Sequence, residues 1–95
     1  MININPRVRQ GFGMVSVTVM RNPELTLGEK ALYAHLSTYA DSKTNQLYVS
    51  INKMASECGV GVSTVNRTMK SLEKKGIIIR KARGFRMSKI TILLK

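Results

Sequence analysis

The period of the apolar positions changes along the chain, and each change marks an element. Over residues 14–20, Val15, Val17 and Val19 alternate with Ser16 and Thr18. A period of two carried by β-branched side chains predicts a half-buried strand. Arg21-Asn22-Pro23-Glu24 then turns the chain. Thr26-Leu27-Gly28-Glu29 has the spacing of a capping box and predicts a helix running to about Ala40. At about 100° per residue, its apolar stripe is Leu27, Ala31, Leu32, His35, Leu36 and Tyr39. Asp41–Asn45 is a polar loop, and Leu47-Tyr48-Val49 is a short strand candidate. Ser50 is placed to cap a second helix. There Ile51, Met54, Ala55 and Cys58 recur at helical spacing and predict a buried face. Gly59 ends that helix, and Val60-Gly61 leads into a third over 62–75, with Val62, Val65, Met69 and Leu72 inward. After Gly76, a strand from Ile77, a tip at Gly84 and a returning strand to Leu94 predict a hairpin. Residues 1–13 hold Pro6, Gly11 and Gly13, keep no period, and read as a flexible arm before a domain over 14–95.

Ninety-five residues are enough for one small domain. Charge narrows its partners. The chain has 16 Lys and Arg against 5 Asp and Glu, a net +11. Residues 61–95 carry ten of those cations against a single carboxylate, Glu73. A positive field gathered into the C-terminal third suits a polyanion, either nucleic acid or an anionic membrane surface. A membrane-surface helix needs larger apolar residues opposite its basic face than the third helix has. The scattered aromatics Phe12, Tyr33, Tyr39, Tyr48 and Phe85 build no base-stacking platform for RNA. No apolar run is long enough to span a bilayer or to form a signal peptide, so a cytoplasmic protein is expected. One cysteine and one histidine leave no intramolecular disulfide, no multi-cysteine zinc site and little His-based catalysis. Cys58 on an apolar face reads as a small core hydrophobe, and His35 as a hydrogen-bonded core residue. Gly59-Val60-Gly61 lacks the Lys-Ser/Thr that a phosphate loop needs. No cofactor, metal, small-molecule ligand or enzymatic activity is expected.

Two short helices joined by a tight glycine-containing turn are the helix-turn-helix pattern. The first braces the second, whose polar face the major groove, about 12 Å wide, admits. Opposite the apolar stripe of the third helix lie Ser63, Arg67, Lys70 and Lys74, flanked by Thr64 and Asn66. Arg67 suits bidentate reading of guanine, Asn66 suits adenine, and Lys70 and Lys74 suit phosphate. The hairpin adds Arg80, Lys81, Arg83, Arg86 and Lys89 around Gly84, and guanidinium groups fit a narrow minor groove. Phe85 is expected to pack back on the sheet. In the arm, Arg7 and Arg9 are possible phosphate contacts.

The run from Met54 to Ile78 resembles the core of winged helix-turn-helix DNA-binding proteins. Ala55, Gly59-Val60, Thr64-Val65, Arg67, Leu72-Glu73 and Lys75-Gly76-Ile77 carry the likeness. The stretch Leu27–Leu36 is similar to the first helix of a subset found in plasmid and phage replication and DNA-transfer proteins. Gly61 departs from the serine usual there, and His35 stands where a core aromatic is common. The resemblance implies an α+β winged helix-turn-helix: three helices, a small antiparallel sheet with a wing, and here an extra N-terminal strand over 14–20. It also implies a recognition helix in the major groove, with the wing on adjacent backbone or minor groove. Plasmid nicking enzymes of that background resemble one another in a histidine-pair metal site, which one histidine does not supply.

The expected function is sequence-specific binding of double-stranded DNA, by recognition helix 62–75 and basic wing 80–89. The chain ends at the second wing strand with no catalytic or effector domain in view. That favours a mobile-element accessory factor binding repeats at an origin of transfer or replication, alongside a larger enzyme. A small transcriptional regulator at promoter operators and a non-specific architectural protein are the alternatives. A homodimer is expected, since paired half-sites multiply affinity. Strand 14–20 and an exposed Tyr33 side of the first helix are the candidate contacts.

Overall fold

The structure, a computed structural model, describes residues 13–82 and 90–94. Its elements in chain order are α1 (Val17–Met20), α2 (Leu27–Ser37), β1 (Gln46–Leu47), α3 (Ile51–Cys58), α4 (Val62–Lys74), β2 (Ile78–Lys81) and β3 (Ile90–Leu93). The strands form one antiparallel sheet in the order β1-β3-β2. Ile78 pairs with Leu93 and Arg80 with Thr91, while Leu47 faces Thr91 from the other side. Helices α2, α3 and α4 pack around Leu36, Met54, Met69 and Leu72, and Ile78 and Leu93 close the core from the sheet. The architecture is the expected α+β winged helix.

Several details differ from the sequence reading. The extra N-terminal strand is instead the single-turn helix α1, which makes four helices among the described residues. Ser16 caps it by accepting from the Val19 N–H at 3.3 Å. Period-two alternation is stabilised only where a neighbouring strand completes the ladder, and among the described residues none lies beside 14–20. Val19 alone of the three valines is buried. The arm, apart from Gly13, lies outside the described residues. Gly13 itself packs so closely on the end of α2 that an added Cβ would come within 2.9 Å of Thr38 Cα.

Helix α2 has the expected capping box: Glu29 N–H donates to Thr26 Oγ1 at 3.1 Å, and Thr26 N–H to Glu29 Oε1 at 2.8 Å. It ends at Ser37 rather than near Ala40, where the Thr38 and Tyr39 N–H groups switch to tighter bonds with the His35 and Leu36 carbonyls. Its buried face is Glu29, Leu32, Tyr33, Leu36 and Ser37. That is about a third of a turn from the expected stripe, and Leu27 is 84% exposed. Counting apolar residues misplaced the face because two polar members are satisfied inside. Ser37 donates to the Tyr33 carbonyl at 2.9 Å, and Glu29 finds the partners described below. Tyr33, expected at an exposed dimer surface, is fully buried, and its hydroxyl donates to the Leu94 carbonyl at 2.8 Å. β1 is Gln46–Leu47 rather than the expected Leu47-Tyr48-Val49: Asn45, at a left-handed φ of 58°, turns the chain into the ladder, and Tyr48 and Val49 lie beyond it.

Cys58 also departs from its expected place: it is exposed. The apolar stripe of α3 outlasts its packing partner there. Gly59, at φ 70°, bends the chain away before α4 can cover the last turn. Val60 and Val62 are left partly exposed beside it.

Candidate nucleic-acid interface

The turn that joins α3 to α4 sets the site. Ser50 accepts from the Lys53 N–H at 3.1 Å to start α3, and Gly59 stops it in a left-handed conformation. Gly61 opens α4 without a side-chain cap hydrogen bond among the described residues. Val65, Met69 and Leu72 hold α4 against the core. The opposite face presents Ser63, Arg67, Lys70 and Lys74, all exposed. The two flanking residues separate. Thr64 turns toward a groove of 350 Å³ that it lines with Thr68 and with Gly28 and Ala31 of α2. Asn66, half-buried, stands two turns before Glu73 on the flank facing β2.

Carboxylates anchor both flanks of α4. On one side Glu29, only 4% exposed, accepts from Ser71 Oγ at 2.7 Å and from Lys75 Nζ at 2.8 Å. Lys75 also donates to the Glu24 carbonyl at 2.9 Å. Burial by itself would raise the Glu29 pKa. The Lys75 ammonium, the Thr26 N–H and the Ser71 hydroxyl outweigh it and hold the carboxyl down at about 2. On the other side Glu73 takes Arg80 from β2, with Nε at 3.0 Å and Nη2 at 2.6 Å. The Arg80 side chain is 10% exposed. Of the expected wing cations, Arg80 is thus engaged inside the protein, and Lys81 projects from the end of β2, exposed. Arg83, Gly84, Arg86 and Lys89, with Arg7 and Arg9, lie outside the described residues.

A second polar cluster ties α2 to α3. Glu57 accepts a hydrogen bond from the Tyr39 hydroxyl and has His35 Nε2 at 3.2 Å, an ion-pair distance without hydrogen-bond alignment. His35 is therefore half-buried beside a carboxylate, not a hydrogen-bonded core residue. Its ring meets Tyr39 edge-on at 5.6 Å, and Lys53 Nζ lies 5.6 Å from the centre of the Tyr39 ring. The bond to Glu57 pushes the Tyr39 hydroxyl up to about 12 and, in return, lowers the Glu57 pKa. Cys58, though exposed as a residue, has its thiol pKa raised by desolvation at the groove wall and by the Glu57 charge, the opposite of an activated nucleophile.

The sequence presented Glu29 as half of a capping box and Glu73 as the lone carboxylate of residues 61–95 and part of the family likeness, and indicated no ion-pair partner for either. Their partners on α4 and β2 were not legible for different reasons. Ser71 and Lys75 lie 42 and 46 residues from Glu29, beyond any local pattern. Arg80 lies only seven residues from Glu73, yet the two meet only because β2 folds back along α4.

A family model described as a helix-turn-helix domain matches residues 24–78. Among solved structures, the chain is similar to one described as the N-terminal domain of a DNA binding protein. The TM-score is 0.69 at 20% identity, covering 100% of this chain and 82% of that one. It is also similar to a structure of a Rep-DNA complex, with a TM-score of 0.68 at 21% identity, covering 100% of this chain and 83% of that one. No curated protein matches it. Among the described residues, no helix is long and apolar enough to cross a membrane.

Proposed function

This chain belongs to the helix-turn-helix domain family of DNA-binding proteins, and we propose that it reads a specific double-stranded sequence with α4 while its wing grips the adjacent backbone. The observation that carries this reading is the separation of its cations into two sets. Lys75 and Arg80 are engaged by Glu29 and Glu73. Arg67, Lys70 and Lys74 line one face of α4, with Lys81 beyond it on β2, and make no ion pair among the described residues. Cations held in fixed positions without intramolecular partners are what a phosphate lattice recruits. Arg67 and Asn66 are the base readers. Ser63, Lys70, Lys74 and Lys81 position the helix on phosphates. Thr64 supports the α2 flank, and Arg83, Gly84, Arg86 and Lys89 continue the wing contact.

The biological role we assign is that of a mobile-element accessory factor marking repeats at an origin of replication or transfer. The domain acts by binding, and a larger replication or transfer enzyme performs the chemistry. The likeness of the fold to a Rep-DNA complex supports this role. Two copies on repeated half-sites supply the affinity that one small footprint lacks.

Selection of bound duplexes from a random pool, followed by sequencing, tests the reading. A sharp, repeated motif that maps to an origin is the expected result. A motif that overlaps promoters makes the protein a regulator instead. Binding to every duplex with no enrichment makes it an architectural protein and removes Asn66 and Arg67 as readers. Mass measurement of the complex on a two-repeat duplex gives the copy number.

A further inference from the structure

We propose that Arg80 is a positioning residue: its ion pair with Glu73 is a strut that sets the wing against the recognition helix, and Arg80 does not itself touch DNA. The inference rests on the DNA-binding reading and refines it. Arg80 sits among the basic wing residues, and composition alone places it on phosphate. The geometry points elsewhere. Along β2 the residues alternate, with Ile78 buried, Ile79 exposed, Arg80 half-buried and Lys81 exposed. Arg80 shares the inward side with Ile78 and pairs in register with Thr91, itself buried. Both Nε and Nη2 donate to Glu73 Oε1, so one edge of the guanidinium is engaged by a single carboxylate oxygen.

Glu73 lies in the last turn of α4, and Gly76, at φ 74°, reverses the chain into β2 immediately afterwards. A reversal through so few residues leaves the angle between α4 and the hairpin to be set by side chains that span the corner. Ile77 N–H bonds to the Leu72 carbonyl at 2.9 Å and holds the base of that corner. The Glu73–Arg80 pair spans it one turn of strand further out. On the far flank of α4, Glu29 holds Ser71 and Lys75 in the same way. The recognition helix is thus braced to α2 on one side and to the wing on the other, each time by a carboxylate. A free guanidinium at position 80 would be one cation among several, whereas a paired one makes the free cations of α4 and wing act at a fixed separation.

The experiment compares Glu73→Gln, Arg80→Gln and the charge swap Glu73→Arg/Arg80→Glu in the full chain, with Lys81→Gln as the phosphate-contact control. Without DNA, amide hydrogen exchange of 78–81 and 90–93 is measured. With the duplex selected by the wild type, affinity is measured against salt. The strut predicts exchange at least about tenfold faster in both Gln variants, and about tenfold weaker DNA binding. It predicts an unchanged salt slope for Arg80→Gln, and recovery in the swap to within about threefold of wild type. Lys81→Gln alone lowers the slope, by about one phosphate's worth. The strut is overturned if exchange is unaltered in both Gln variants. It is equally overturned if Glu73→Gln binds as well as or better than wild type while Arg80→Gln loses one unit of salt slope, the signature of a direct phosphate contact. If the swap is too crowded to fold, the two Gln variants decide alone. Should the wild type bind no duplex, the DNA-binding reading fails, and the exchange data still decide the strut.

Discussion

Glu29 of α2 and Lys75, the residue that caps α4, meet at 2.8 Å across 46 residues of chain. One carboxylate thereby caps its own helix and anchors the end of another. The same oxygen that receives Lys75 also receives the Thr26 N–H, and the second oxygen takes the Ser71 hydroxyl. A carboxylate with this many donors stays ionised in the interior because each donor favours the charged form.

Replacing Glu29 by Gln keeps the side chain's shape but removes its charge. The expected loss is about 2 kcal/mol of unfolding free energy, the scale of a hydrogen bond to a charged group. Chemical denaturation at neutral pH measures it. The pH dependence carries a sign. The folded pKa, about 2, lies below the ordinary 4.5, so the stabilisation is complete above about 4.5 and is lost as pH falls toward 2. The acid limb of the wild-type stability curve in that window should flatten in Glu29→Gln. An equally steep limb in the variant contradicts the assignment.

Arg67→Ala and Lys70→Ala should fail differently. Loss of a base-reading Arg67 costs about 1–3 kcal/mol and relaxes preference at one position of the selected motif. Loss of a phosphate-binding Lys70 weakens all sequences alike and reduces the salt slope by about one. The wing should matter as much as the helix, so Arg83→Ala is expected to equal Arg67→Ala in lost affinity. Titration of each variant against the motif and a scrambled duplex separates these outcomes.

Tyr33→Phe removes only the hydroxyl that donates to Leu94 at 2.8 Å. A cost of about 1 kcal/mol is expected, with the effect concentrated at the end of β3. Thermal unfolding gives the total, and faster exchange of the Leu94 amide locates it. The Leu94 N–H itself bonds to the Ile77 carbonyl at 3.0 Å and reports on that edge directly.

Gly59→Ala should cost about 1 kcal/mol, although nothing stands within 4 Å of the added Cβ. The cost is purely that of the left-handed φ of 70°. Gly59→Asn should recover part of it, because asparagine tolerates that conformation better. Equal losses in the two variants would place the cost in packing instead.

The periodic signals of α3 and α4 placed both helices and the central residues of their buried stripes, while Cys58 and Val62, at the ends that meet in the turn, are exposed. Caps at Thr26 and Ser50, the stop at Gly59 and the stripe Val65–Met69–Leu72 are local features, each confined to a few neighbouring residues. The misplaced features share a different origin. Alternation at Val15, Val17 and Val19 needs a partner strand, which only the assembled sheet can provide or withhold. The buried face of α2 depends on whether Glu29 and Ser37 find partners inside, and those partners come partly from α4.

The sequence by itself determined the caps that open α2 and α3, the stop at Gly59, which residues form the exposed basic face of α4, and where the positive charge gathers. Capping, backbone conformation at glycine and side-chain periodicity act over one or two turns, so the chain states them openly. Only the tertiary structure decided which cations are free. Lys75 and Arg80 look like Lys70 and Lys81 in a list of charges, yet two carboxylates engage the first pair and leave the second exposed. That distinction comes from the folding of α4 against α2 and of β2 back along α4. Long-range packing brings an acid and a base within hydrogen-bond reach, a contact that no local pattern in the chain encodes.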